Sequence, residues 1–359
     1  MLTKVLVAAV LAVVFSLLLT PWVRRLAFKV KAIDRPDERK VHKSPMPRMG
    51  GLAVFLSFAL TVILLRPFSL PLAGLLVGGL LIVLLGILDD IKGLPAKVKL
   101  GGQILAALAV VPFGIQVDFI TNPLTGGIIT LGIFAVPLTV FWIISVTNAV
   151  NLIDGLDGLA GGTSMIAALT VAAVAWKQGV IYGGSGVHFE VAVLAVILAG
   201  AILGFLRYNF YPAKIFLGDT GSMFLGYCLS VLAVMGLTKS AAAISVFIPI
   251  VILGIPLLDT FFAIVRRCCK HQPIFKPDKE HLHHRLMALG FSHRQAVLVI
   301  YCISAFMGGS AYLLNVVTTD QAVFVLAALS LIVIVGANKI GVTGTKKVPG
   351  ANAQRNLEL

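Results

Sequence analysis

Apolar stretches of about twenty residues recur along almost the whole chain, and that pattern fixes the class of fold. Wound as an α-helix, a stretch of that length matches the hydrocarbon thickness of a bilayer. Lipid offers no water to backbone N–H and C=O groups, so each such segment must satisfy them internally, as a helix does. Eleven spans are expected, at roughly 2–23, 49–65, 72–88, 98–117, 128–146, 159–176, 189–205, 218–236, 241–265, 296–314 and 322–337. The expected fold is an all-α integral membrane protein. One polytopic unit fills residues 1–338, and a polar tail, 339–359, is expected to be disordered. Composition agrees: 58% of the 359 residues are apolar and 12% are charged, about half the charge of an ordinary soluble domain. A soluble globular chain is thereby excluded. Arg24 and Arg25 follow the first apolar run, and no small-residue cleavage site ends it, so an uncleaved span is expected rather than a signal peptide.

The net charge of +14 would suggest nucleic acid in a soluble protein. In a membrane protein Lys and Arg sort to the cytoplasmic side, and no nucleic-acid partner is expected. With the N-terminus outside and the C-terminus cytoplasmic, all Lys and Arg except Lys4, Arg66, Lys177 and Lys239 fall on the inner side. The longest inner loop, Arg24 to Gly51, is strongly basic and suits an anionic lipid head group as well as it suits an orientation signal. The four cysteines fit no zinc pattern and are expected to be free thiols. No transporter-type repeat is visible.

On that topology five acids fall at cytoplasmic ends. Asp89 and Asp90 close the third span, Asp154 and Asp157 open the sixth, and Asp219 opens the eighth. Acids near a membrane are costly unless paired, solvated or bound to a cation, so the set points to one shared, cation-holding site. Asp89 and Asp90 are neighbours, about 100° apart on a helix, which gives them different roles. Lys92, Lys97 and Lys99 follow; they suit a phosphate, or serve only as orientation charges. Asp154 and Asp157 are three apart and share a face if they lie on a helical turn, as do Asn148 and Asn151. Gly218-Asp-Thr-Gly-Ser222 starts the eighth span, and the free N–H groups of a helix N-terminus suit phosphate. Phe216 suits a stacked base or a lipid-facing position.

The loop at 266–294 holds His281-Leu-His-His-Arg285. No cysteine or His-Glu-x-x-His pattern supports zinc there, whereas imidazoles and a guanidinium suit phosphate and sugar hydroxyls. His271 and His293 read as surface residues, and His188 and Glu190 fall on the opposite side. Asp259 lies inside the ninth span and needs a partner, for which Arg266 is the candidate.

These motifs resemble one family. Asp89-Asp90, Asn148-x-x-Asn-x-x-Asp-Gly-x-Asp-Gly158, Asn209-x-x-Pro-Ala-x-x-Phe-x-Gly-Asp-x-Gly-Ser222 and His281-x-His-His are similar to the signatures of the polyprenyl-phosphate N-acetylhexosamine-1-phosphate transferases, in the same order along the chain. Within that family the Lys-Val-His-Lys43 loop and eleven spans resemble the branch that starts teichoic acid or O-antigen synthesis. Leu282 interrupts the histidines, unlike the three-histidine run of the peptidoglycan translocase branch.

The resemblance implies UDP-GlcNAc as donor, undecaprenyl phosphate as acceptor, release of UMP, and Mg²⁺ as cofactor with Mn²⁺ as the alternative. It implies a bacterial plasma membrane enzyme with a cytoplasmic active site, in which a homodimer is compatible. Asp219 would hold the metal, with its shell completed by Asp154 or Asp157. Asp89 would place or deprotonate the lipid phosphate, and Asp90 would orient lysines. Asn209, Asn151 and Phe216 are candidates for the nucleotide, joined by Asn148. His281, His283, His284 and Arg285 are candidates for the sugar and diphosphate, and Lys43, Lys97 and Lys99 for the anionic substrates. The alternatives are a phospho-MurNAc-pentapeptide translocase or another UDP-hexosamine specificity. Outside the family stand an intramembrane aspartyl protease and a cation-coupled transporter. The protease would leave Asp89, Asp90 and the histidines unused; the transporter would want charges near mid-membrane.

Overall fold

The computed structural model describes residues 2–34, 45–66, 68–122, 127–181, 186–237, 247–269 and 281–340. Helices dominate. In chain order they are α1 Leu2–Lys29, α2 Gly51–Leu65, α3 Leu70–Lys92, α4 Ala96–Ala109, α5 Ala135–Leu152, α6 Leu159–Ile181, α7 Gly186–Asn209 and α8 Gly218–Leu232. They continue with α9 Phe247–Ile252, α10 Gly254–Cys269, α11 Leu282–Ala288, α12 His293–Leu314 and α13 Thr319–Ile340. Two short antiparallel pairs join loops: β1 Ile33–Asp34 with β2 Met46–Pro47, and β3 Phe119–Thr121 with β4 Ile128–Thr130.

Among the described residues nine helices are long and apolar enough to cross a membrane. They coincide with nine of the eleven expected segments. A tenth, α2, is an apolar helix of 15 residues. The segment expected at 241–265 begins outside the described residues and continues as two helices, α9 and α10. The tail from residue 341 also lies outside them, as do Lys43 and His271.

The centre of the bundle is α8, packed against α2, α3, α5 and α6. Its residues Thr220–Leu232 are all buried. Glycines let its N-terminal turn sit that deep. A Cβ on Gly51 of α2 would collide with Gly221, and one on Gly86 of α3 would collide with Thr220. Close backbone approach at small residues is the usual basis of helix association in lipid. Several buried polar groups find partners inside the bundle, where no water is at hand. Tyr227 donates to Leu75 O at 3.2 Å, Trp142 donates to Ser230 O at 3.1 Å, and Thr147 donates back to Ile143 O at 2.7 Å.

Candidate active site

The first turn of α8 organises the site. Gly218 has φ +73, and a Cβ there would strike the Asp90 carboxylate, so glycine is required for both reasons. Asp90 then caps the helix. Its Oδ1 accepts from Asp219 N–H at 3.0 Å, and its Oδ2 accepts from Thr220 N–H at 3.1 Å and from the Thr220 hydroxyl at 2.6 Å. A carboxylate at a helix N-terminus is favoured by orphan N–H groups and by the macrodipole together. Two N–H groups expected to be free for phosphate are thus already spent on Asp90.

Asp90 does not orient a lysine: its cation is Arg48, whose Nε donates at 3.1 Å. Arg48 also approaches Asp34 at 3.8 Å and Asp219 at 4.0 Å. Burial works to lower the Arg48 pKa, but Asp90, Asp219 and Asp34 outweigh it and raise it. The segment carrying Arg48 is fixed by backbone bonds to the start of α8: Phe216 N–H donates to Pro47 O, Gly50 N–H to Phe216 O, and Gly51 N–H to Leu217 O. Phe216 is half-buried beside that ladder.

Asp89 points elsewhere, as its neighbouring position on α3 requires. The helix ends at Gly93 with φ +67. Asp89 Oδ1 accepts from Leu94 N–H at 2.6 Å, and Oδ2 accepts from Lys99 Nζ at 2.7 Å. Lys99 bridges onward to Asp219 Oδ2 at 3.1 Å, while Asn151 of α5 donates to Asp219 Oδ1 at 2.5 Å and to Ser222 Oγ at 2.8 Å. Asp219 therefore joins α3, α4, α5 and α8. Lys97 is exposed at the start of α4.

Asp154 and Asp157 do not lie on a helical turn. Residues 153–158 form a loop between α5 and α6, because Gly155 and Gly158 interrupt the helical path. The two carboxylates separate. Asp157 Oδ2 accepts from Ala213 N–H at 2.9 Å, tying this loop to the one after α7. Asp154 lies in the field of Asp219, Asp90 and Asp157, and burial followed by those charges pushes its carboxyl up to about 8.

The other asparagine and histidine candidates occupy defined places. Asn148 forms a reciprocal pair with Gln103 of α4, at 2.7 and 3.3 Å. Asn209 is buried, accepts from Gly158 N–H at 3.1 Å and donates to Ile215 O at 3.0 Å. His283 packs over Gly155, so the histidine segment meets the Asp154 loop directly. Both His283 ring nitrogens are buried without a partner among the described residues. Burial, and next the charge of His284, lower its pKa to about 3. His284 is exposed, and His281 is buried.

One residue escaped the sequence reading, and two were read differently. Arg48 was hidden in a basic loop; its signal was a lone arginine between two prolines and the Gly-Gly that opens α2. Asp259 takes His281 as its partner rather than Arg266. Its Oδ2 meets His281 Nδ1 at 2.9 Å and its Oδ1 accepts from Leu282 N–H at 2.9 Å. His293 is half-buried and no plain surface residue: its Nε2 accepts from Asp157 N–H at 3.0 Å, and its ring lies on Tyr211.

Four carboxylates, of Asp89, Asp90, Asp154 and Asp219, thus share a neighbourhood with two cations, Arg48 and Lys99. Carboxylates outnumber cations there, and Arg48 also faces Asp34. That excess, and the raised Asp154 carboxyl, fit a divalent cation. No group of three metal-ligating side chains in cation-binding geometry occurs among the described residues. Mg²⁺ needs only one or two carboxylates, taking water and phosphate oxygens for the rest, so this donor set suits it.

A helical membrane bundle with such a cluster at the ends of its helices defines a polytopic membrane enzyme. Comparison with known proteins gives its relatives. The family model for glycosyl transferase family 4 matches residues 72–237, the stretch from α3 to α8 that holds every carboxylate of the cluster. A Bacillus subtilis protein named "probable undecaprenyl-phosphate N-acetylglucosaminyl 1-phosphate transferase" is 44% identical over 355 residues, covering 99% of this chain and 97% of that one. A decaprenyl-phosphate N-acetylglucosaminephosphotransferase of Mycolicibacterium smegmatis is 40% identical over 81% of this chain and 77% of its own. A phospho-N-acetylmuramoyl-pentapeptide-transferase of Halalkalibacterium halodurans is 32% identical over 88% and 98%. The chain belongs to glycosyl transferase family 4.

Proposed function

We propose that this chain transfers N-acetylglucosamine 1-phosphate from UDP-N-acetylglucosamine to undecaprenyl phosphate at the cytoplasmic face of a bacterial plasma membrane. UMP leaves and undecaprenyl-diphospho-N-acetylglucosamine forms, a first membrane step toward an envelope polymer. The observation that carries this reading is the meeting of Asp219 with Asp89, Asp90, Asn151, Lys99 and Arg48 at one helix N-terminus. Support comes also from the identity to the Bacillus subtilis relative over nearly the whole length. The Lys and Arg bias of the loops supports the cytoplasmic face.

An oxygen of the lipid phosphate attacks the β-phosphorus of the donor, and the bond from that phosphorus to the bridging oxygen of UMP breaks. The sugar C1–O bond is untouched, so anomeric configuration is kept. One diphosphate is exchanged for another, so no large driving force is needed and the task is to bring anions together. Lys99 and Arg48 are placed to meet diphosphate oxygens once these displace carboxylate contacts. Asp219 and Asp154 are the carboxylates that would hold Mg²⁺, or Mn²⁺. Bound there, the cation would supply charge neutralisation for the diphosphate and the departing UMP. Asp89, held by Leu94 and Lys99, would place or deprotonate the acceptor phosphate. Asp90, Asp157 and Asn209 act as positioning residues, since their polar atoms are committed to backbone or to Arg48. His283 offers two unspent ring nitrogens for sugar or phosphate oxygens.

The test is UMP release by the purified protein across a panel of UDP-sugars. Fastest release is expected with UDP-N-acetylglucosamine, and only with undecaprenyl phosphate and Mg²⁺ both present. Equal or faster release with UDP-MurNAc-pentapeptide overturns the sugar assignment. Release without lipid phosphate overturns the transferase reading.

A further inference from the structure

Apart from the acid cluster, a recess of about 350 Å³ opens where α1 meets the end of α7. Among the described residues it is lined by Pro21, Arg24, Arg25, Phe28, Tyr208 and Lys214. Three cations share it with no carboxylate. Arg24, Arg25 and Lys214 make no ion pair among the described residues, and Arg24 has only the face of Phe28, 5.9 Å from the ring centre. Three unpaired like charges repel one another. Neighbouring positives that lack an acid become favourable when an anion sits among them.

The recess is built rather than incidental. Pro21 lies inside α1 and has no N–H to give Leu17 O. The Tyr208 hydroxyl fills that vacancy, donating to Leu17 O at 3.2 Å, and so fixes α7 against α1 at the floor of the recess. Lys214 is aimed by its own backbone, whose N–H donates to Tyr208 O at 2.7 Å.

The surface beside it is that of a lipid contact. Val7, Val10, Val14, Leu18 and Trp22 are all exposed, and their helical spacing puts them in one stripe on α1. Leu18 is 68% and Trp22 53% exposed. The stripe leads to Arg25, one turn beyond Trp22. Indole and cationic side chains mark the boundary between hydrocarbon and head groups. An acyl or prenyl chain lying on the stripe brings its phosphate to the three cations.

We propose that this recess binds the phosphate head group of a membrane lipid, with its chain along the exposed stripe of α1. Basic pockets between membrane helices take anionic head groups in this way. A lipid held there also touches the segment between Tyr208 and Gly218, which carries the partner of Asp157, so its occupancy reaches the active-site loops.

The experiment uses the full-length protein in a neutral detergent and follows the unfolding midpoint on titration. The probes are dioleoylphosphatidylglycerol, undecaprenyl phosphate, a neutral glycolipid with the same dioleoyl chains, and inorganic phosphate. The lipid phosphates are expected to raise the midpoint saturably, while the glycolipid and inorganic phosphate leave it unchanged. A phosphatidylglycerol response that the recess variants weaken assigns the site to bilayer lipid; if the variants weaken only the undecaprenyl phosphate response, the recess belongs to the acceptor, whose binding at the active site the variants leave in place. Arg24→Gln with Arg25→Gln, and separately Lys214→Gln, should keep the lipid-free midpoint because these side chains are exposed. Half-saturation should weaken by roughly fivefold for each cation removed. The proposal is overturned if the variants respond like wild type, or if the glycolipid or inorganic phosphate matches the lipid phosphates.

Discussion

The carboxylate cluster and the histidine segment lie on facing sides of the same site and are built in opposite ways. Around Asp219 the charged groups are largely satisfied by protein: Asp90 by Arg48 and by α8, Asp89 by Lys99 and Leu94. Around His283 the reverse holds, for its two buried ring nitrogens find no partner among the described residues. The first region is preorganised, paying its desolvation through internal hydrogen bonds. The second leaves polar atoms unmet, a cost of about 1–3 kcal/mol per group that a ligand's oxygens would remove.

The largest effect is expected from Asp219→Asn. Turnover should fall on the order of 10³-fold or more, read as UMP release under saturating substrates, and near-normal turnover would remove Asp219 from the centre. Next comes Asp90→Ala, which leaves Arg48 Nε and the first N–H groups of α8 without their acceptor. It should lower stability by about 3 kcal/mol, seen as a lower unfolding midpoint, whereas an unchanged midpoint would show that the cap is dispensable.

On the histidine side effects should be smaller. Asp259→Asn keeps an acceptor for Leu282 but weakens the hold on His281. A rise in the KM for the UDP-sugar of about tenfold is expected, with kcat less affected. A pure loss of kcat would argue that Asp259 acts elsewhere.

The smallest effect concerns pH. His283 is held neutral in the fold to about pH 3, while the unfolded chain takes up a proton near pH 6.5. The unfolded state therefore binds more protons between these values. Stability is fully present above pH 6.5 and is lost as pH falls toward 3. At pH 5.5 the loss is about 1 kcal/mol. His283→Gln should match wild type at pH 7.5 and show less acid destabilisation at pH 5.5; identical pH dependence would contradict this burial.

The bundle was legible because lipid leaves a segment of twenty apolar residues little choice but a helix. The acids were legible because charge at a span's end is costly enough to signal purpose. Pairings were not, since they join residues remote in sequence: Arg48 with Asp90, Lys99 with Asp219, Asp259 with His281. Spacing also misled where glycine intervened. Asp154 and Asp157 are three apart, yet Gly155 and Gly158 open the backbone and send one carboxylate to the cluster and the other to Ala213. Asn148 and Asn209 signalled polarity near a membrane. Only tertiary structure shows those amides spent on Gln103 and on backbone.

Mn²⁺ binding followed by electron paramagnetic resonance addresses the carboxylate cluster most directly. Full-length wild type is compared with Asp219→Asn and Asp157→Asn. The expected result is a bound Mn²⁺ signal in wild type, kept in Asp157→Asn and weakened at least about tenfold in Asp219→Asn. Mn²⁺ bound as tightly by Asp219→Asn as by wild type would contradict a cation site at the head of α8.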